Sequence, residues 1–193
     1  MERRKFIHTA AMSSLGLMTL GGSSCALLKI QKEISFGHGT HKYRVKNDWS
    51  WASFSRYPIK DAHEMVQVKD GRFFLLTNET RNNIIIFDES GQLIDTWGDS
   101  FPGGHGLTLS DEGGEEFLYI TDHDLHKVFK TDLKGNVVLT LEAPLDSDSY
   151  SSKDVFKPTE TTISSDGSIY VADGYGAQWI TVFNQDGTIK NQF

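Results

Sequence analysis

Two histidines stand at one position of a recurring pattern. His63 opens the segment HEMVQVKDG and His105 opens HGLTLSDEG, and each is followed eight residues later by a glycine, Gly71 or Gly113. A third segment, TETTISSDG, puts Thr159 at that position and Gly167 eight residues on. Imidazole nitrogen suits zinc at about 2.0–2.1 Å, and a catalytic zinc usually has three protein ligands and one open position. Such an ion acts as a Lewis acid and lowers the pKa of a bound hydroxyl or water. If the segments lie side by side around an axis, His63 and His105 face one ring and could share an ion. The plainer reading makes His105 a turn residue after Gly103 and Gly104, and His63 a polar residue lining a channel. His123 and His126 follow Asp122 and are expected at the surface or in packing. The single cysteine, Cys25, excludes an internal disulfide and a thiolate zinc cluster within one chain. Asp146, Asp148 and Asp154, in the acidic, Ser-rich stretch from Glu142 to Asp154, lack the spacing of a calcium-binding loop and read as solvated.

The elements that must hold these side chains repeat as well. Each segment runs into a second β-rich stretch ending at a polar corner: FFLLTN to Asn78, FLYITD to Asp122 and SIYVAD to Asp173. These corner residues are expected to close turns through side-chain to backbone hydrogen bonds. A third strand follows each corner (NIIIFDESG, HKVFKTDLKG, WITVFNQDG), and a fourth follows a Ser-Gly, Lys-Gly or Asp-Gly turn (QLIDTW, NVVLTL, TIKNQF). Glycine in such turns tolerates the positive φ that tight hairpins require. The spacing between corners lengthens after Asp122, which the insertion around EAPLDSDSYSSKDVF explains. Four short strands per unit at a period in the forties describe a β-propeller blade. A β-sandwich of unrelated hairpins would not repeat the glycine and the corner residue. The fold class is therefore all-β, a propeller with about three four-stranded blades spanning roughly 59–100, 101–142 and 155–193. Residues 27–58, with His38, His41, Trp49 and Trp51, form a leader strand and loop ahead of it.

Composition narrows the partners. With 38% hydrophobic and 23% charged residues, the chain is neither collagen-like nor wholly disordered. A formal charge of −7 argues against a nucleic-acid partner, which would call for a basic face. Residues 1–26 read as an address: Arg3, Arg4 and Lys5, a mildly apolar run from Phe6 to Leu20, then small residues. The Arg3-Arg4 pair followed by Phe6-Ile7 resembles the bacterial twin-arginine motif, so export to the periplasm or the exterior is expected. The run is too short and too interrupted to span a membrane stably, and no transmembrane helix is expected once it is removed. Cys25 stands where a lipid anchor could attach, although Gly22 replaces the usual Leu; cleavage after Ala26 explains the same residues.

The blades resemble NHL repeats of six-bladed propellers. More closely, HGLTL, YITDHDLHKVFKTD and FKPTETTISSDGSIYVADGY resemble peptidyl-α-hydroxyglycine α-amidating lyases over roughly residues 60–193. That resemblance implies a metal enzyme that cleaves the C–N bond of a carbinolamide, releasing a peptide amide and glyoxylate. It implies zinc at one end of the propeller axis, with His105 matching the first zinc histidine. It also implies calcium in the channel, with Leu107 lending its carbonyl, and it places Tyr175 at the active site. His63 has no firm counterpart among the family's zinc ligands and enters as a candidate through its register alone. The sequence departs from the family in three respects, the first being that the family's other two zinc histidines belong to later blades, beyond these three. Asn78 falls near an expected arginine, with Arg81 three residues on, and Gly176 replaces a disulfide cysteine after Tyr175.

Three blades leave two sheet faces without a neighbour, so 193 residues read as the N-terminal half of a six-bladed domain; two three-bladed chains pairing is the other arrangement. Two functions compete. One is an exported, metal-dependent lyase acting on a peptide or other small carbinol. The other is a non-catalytic NHL propeller that binds a ligand or protein through loops such as 142–157. A lactonase-like calcium propeller lacks an evident cluster of channel carboxylates and is least favoured.

Overall fold

A computed structural model describes residues 35–50, 52–145 and 149–193. The expected signal segment, Cys25, Trp51, Asp146 and Asp148 lie outside the described residues. Two compact units divide the chain at Val45. The described part of the first is one antiparallel hairpin, β1 (Ser35–His38) with β2 (His41–Arg44), where a single leader strand was expected.

The second unit holds three four-stranded antiparallel sheets, as a partial propeller requires. The first contains β3 (Glu64–Gln67), β4 (Phe73–Leu76), β5 (Ile84–Phe87) and β6 (Leu93–Trp97). The second contains β7 (Gly104–Glu112), β8 (Glu115–Asp122), β9 (Lys127–Asp132) and β10 (Val137–Glu142). The third contains β11 (Glu160–Ile163), β12 (Ile169–Ala172), β13 (Ile180–Phe183) and β14 (Ile189–Gln192). In every sheet the strands pair in chain order, leaving the first at one edge. Those edges meet, because β7 lies against both β3 and β11. Gly91, Gly135 and Gly187, one before each fourth strand, have φ between 86° and 90°, as the hairpin turns demand.

Burial is set by the alternation of side chains across each strand. In β8, Leu118 and Ile120 face the first sheet and pack with Val68, Phe74, Leu76, Ile84 and Ile86. Tyr119, between them in sequence, faces the third sheet and packs with Ile169, Val171 and Phe183. The middle sheet is thus covered on both faces, which is why FLYIT reads as a nearly continuous apolar run. The acidic stretch is not simply solvated. Tyr150 is 3% exposed and meets the fully buried Phe156 edge-on, with ring centroids 5.5 Å apart. Aromatic burial thus pins the crossing from the second sheet to the third.

The corner residues do more than close turns. Asp122 is fully buried and accepts hydrogen bonds from the Asp124 and Leu125 amides at 3.0 and 2.8 Å. Its other oxygen accepts from the Gly103 amide at 3.0 Å. Asp173 likewise accepts from Ala177 at 2.7 Å and from Lys157 at 2.6 Å. Asn78 accepts from Asp61 at 3.0 Å. Asp61, Gly103 and Lys157 each lie two residues before the positions of His63, His105 and Thr159. Each corner therefore fixes the height at which its inner strand begins.

Candidate active site

The tethers bring His63, His105 and Thr159 to one end of the inner strands, and the corner loops supply a rim beside them. The rings of His63 and His105 stack, with centroids 4.2 Å apart and planes 19° from parallel. His105 Nδ1 lies 2.9 Å from the carbonyl oxygen of Thr159. A carbonyl only accepts, so Nδ1 carries the proton and the neutral ring keeps its lone pair on Nε2. Tyr175 donates its hydroxyl to that lone pair at 3.1 Å. Burial of the His105 ring holds its pKa below the ordinary imidazole value; the Thr159 carbonyl opposes this, and the charges of His63 and His123 add to it.

His123 also belongs to this group. Its ring lies edge-on to His105 at 6.0 Å and to Tyr175 at 5.7 Å, and its Nδ1 is 3.0 Å from an Asp124 carboxylate oxygen. The sequence suggested a surface or packing role because nothing in the local pattern shows where a corner loop turns. His126 does serve packing: its Nδ1 donates to the Phe156 carbonyl at 2.8 Å, and it takes a left-handed φ of 60°. Arg81 stays outside the site. It grips Glu79 through Nε at 2.8 Å and Nη2 at 3.0 Å, with most of its side chain exposed.

One position further along the inner strands lies a carboxyl pair that the sequence reading missed. Glu64 hydrogen-bonds Glu160, and its pKa is pushed up to about 7, first by burial and then by Glu160; the Leu107 amide, 3.4 Å from its Oε2, pulls the other way. Glu160 accepts from the Thr108 hydroxyl at 3.0 Å and the Thr161 amide at 2.8 Å. The signal was present: the repeat reads His-Glu, His-Gly and Thr-Glu at its first two positions. Gly106 lets the second and third sheets approach closely here, since a Cβ there would stand 2.6 Å from the Thr159 carbonyl oxygen and 2.9 Å from Thr121 Oγ1.

The donors fit zinc in kind. A ligating histidine ordinarily gives its second N–H to a carbonyl or carboxylate, and His105 does so to Thr159. Among the described residues, no group of three or more His, Cys, Asp or Glu side chains is placed to hold one ion, so His63 and His105 could supply at most two of the usual three ligands. The side chain of Leu107 is buried in the core, leaving only its backbone for any role toward an ion. Hard oxygen donors of the sort calcium takes lie beside it in Glu64 and Glu160. Among the described residues, no helix is long and apolar enough to cross a membrane.

No protein-family model matches the chain. Over 148 residues it is 26% identical to a Drosophila melanogaster protein named peptidyl-alpha-hydroxyglycine alpha-amidating lyase 2, covering 76% of this chain and 33% of that one. It is 29% identical over 157 residues to a Caenorhabditis elegans protein named "Probable peptidyl-alpha-hydroxyglycine alpha-amidating lyase pgal-1", covering 81% and 41%. The chain thus spans between a third and two fifths of these relatives. Among solved structures, a streptogramin B lyase matches with a TM-score of 0.55 at 19% identity, covering 70% of this chain and 41% of that one. Hydrazine synthase from Kuenenia stuttgartiensis matches with a TM-score of 0.52 at 16% identity, covering 70% and 36%. These two likenesses carry the fold alone. The sequence relatives make the chain an amidating-lyase-like partial propeller.

Proposed function

We propose that this chain carries part of an exported, metal-dependent carbon–nitrogen lyase that cleaves a peptidyl-α-hydroxyglycine or a related small carbinolamide. The observation that carries the reading is the His105–Tyr175 hydrogen bond, which joins the two residues matched to the lyase's zinc ligand and site tyrosine. His105 and His63 would hold the zinc, and the Leu107 carbonyl would contribute to a calcium site. Bound zinc would supply Lewis acidity to the substrate's carbinol hydroxyl. Tyr175 would move a proton during cleavage. The carbinol O–H loses its proton as its oxygen becomes the aldehyde of glyoxylate; the C–N bond breaks, and the amide nitrogen gains a proton. Asp124 hydrogen-bonds His123 at the rim, beside Tyr175. Twin-arginine export, read from residues 1–26, accords with an address for a folded, metal-loaded domain.

The test is glyoxylate release from an N-acyl-α-hydroxyglycine by the zinc-loaded protein. The lyase reading requires turnover that falls by at least about a hundredfold in Tyr175→Phe, the lower end of general acid–base contributions. Absence of turnover at every zinc and calcium concentration would favour the binding-module alternative.

A further inference from the structure

His105 has one free nitrogen and two claimants for it. Its Nδ1 proton is committed to the Thr159 carbonyl at 2.9 Å, and its Nε2 lone pair already accepts the Tyr175 hydroxyl at 3.1 Å. A neutral imidazole has no second lone pair in the ring plane to offer. His105 therefore cannot ligate an ion through Nε2 and accept from Tyr175 at the same time. The other tautomer does not help, since it would set the Nδ1 lone pair against the Thr159 carbonyl oxygen.

We propose that the Tyr175 hydroxyl and a zinc ion compete for His105 Nε2, so that filling the site releases Tyr175 to the substrate. The inference rests on His105 being a metal ligand. The surroundings of Tyr175 suit such a latch. Tyr175 is 59% exposed, so its hydroxyl can leave His105 without crossing a packed core. Its ring remains flanked by His123, with centroids 5.7 Å apart and planes at 69°, so the freed hydroxyl stays at the rim. The hydroxyl that donates to His105 Nε2 becomes available to substrate once an ion takes that nitrogen.

Zinc affinity, measured by competition with a chromophoric chelator, tests this without any turnover. Tyr175→Phe removes the competing donor from an exposed position and keeps the ring. A neutral hydrogen bond has a net worth of about 0.5–1.5 kcal/mol, so Tyr175→Phe should bind zinc about 2- to 10-fold more tightly than the wild type. Zinc should also produce a near-ultraviolet tyrosine difference spectrum in the wild type that Tyr175→Phe lacks. Equal or weaker zinc binding by Tyr175→Phe, with His105→Ala abolishing it, overturns the competition while leaving His105 a ligand. Wild-type affinity in His105→Ala, or no zinc binding by any form, overturns both the metal reading and the competition.

Discussion

Removing the buried carboxylate of Asp122 should cost more than any other single truncation at the polar corners. Three backbone amides converge on it, Gly103, Asp124 and Leu125, at 2.8–3.0 Å. Hydrogen bonds to a charged group contribute about 1.5–3 kcal/mol each. The bonds to Asp124 and Leu125 lie in a partly open loop, where water can replace some of what is lost. Gly103 is buried, and its amide would be left without a partner at nearly full cost. Asp122→Ala should therefore destabilise by about 3–5 kcal/mol, a large share of the 5–15 kcal/mol typical of a domain. Asp122→Asn keeps one oxygen for the loop but turns an NH2 toward the Gly103 amide, and should cost about 2 kcal/mol. Asp173→Ala, with two amides on its carboxylate, should fall between these values. Urea unfolding followed by tryptophan fluorescence gives the differences, provided the slopes agree. An Asp122→Ala loss under 1 kcal/mol would refute the claim that the corner carboxylate sets the height of its inner strand.

Gly106→Ala should cost about 1–3 kcal/mol, because its Cβ would press on the Thr159 carbonyl at 2.6 Å and force the second and third sheets apart. The same shift should weaken zinc binding, since that carbonyl holds His105, and chelator competition reads it. Far from the site, Glu112 meets Lys130 at 2.6 Å, with both side chains largely buried. Burial works to raise the Glu112 pKa, but Lys130, Gln185 and Tyr119 together hold it below the ordinary value. Its contribution to stability is therefore present above the unfolded-state pKa and lost as pH falls through the folded one. Glu112→Gln should lower stability by about 2–3 kcal/mol at pH 7, leaving Lys130 without its counter-ion. The gap to wild type should narrow on acidification below about pH 4.5, and urea midpoints at pH 7 and pH 3.5 would show whether it does.

The blades were legible because their signals are local. The glycine eight residues after each start, the polar corner and the turn glycine before the last strand each depend on a few neighbouring residues. His63 and His105 could be paired before any coordinates, because equal positions in a repeat become neighbours when inner strands pack. His123 could not be found this way. It follows a corner that reads Asn-Glu in the first sheet and Asp-Gly in the third, so the repeat gives it no equivalent to argue from. The Glu64–Glu160 pair was open to the same register argument, but the two residues come from strands on either side of β7, so adjacency of consecutive repeats does not pair them. Tyr150 was hidden by its company, since an aromatic inside an acidic, Ser-rich run looks solvated until Phe156 is placed against it.

The inner strand of the third sheet sets the tautomer of His105. Thr159 presents its backbone carbonyl to His105 Nδ1, and its hydroxyl turns back to the Ala172 carbonyl at 3.3 Å. The third sheet thus fixes which nitrogen of the second sheet's histidine carries the lone pair. Tyr175, from the corner loop of that same third sheet, then reaches the freed nitrogen. One blade both prepares His105 and occupies it, so a change in the packing of that blade acts on the tautomer and the latch together. A substitution at the second–third sheet boundary, such as Gly106→Ala, should therefore disturb zinc binding more than one at the first–second boundary with an equal effect on stability.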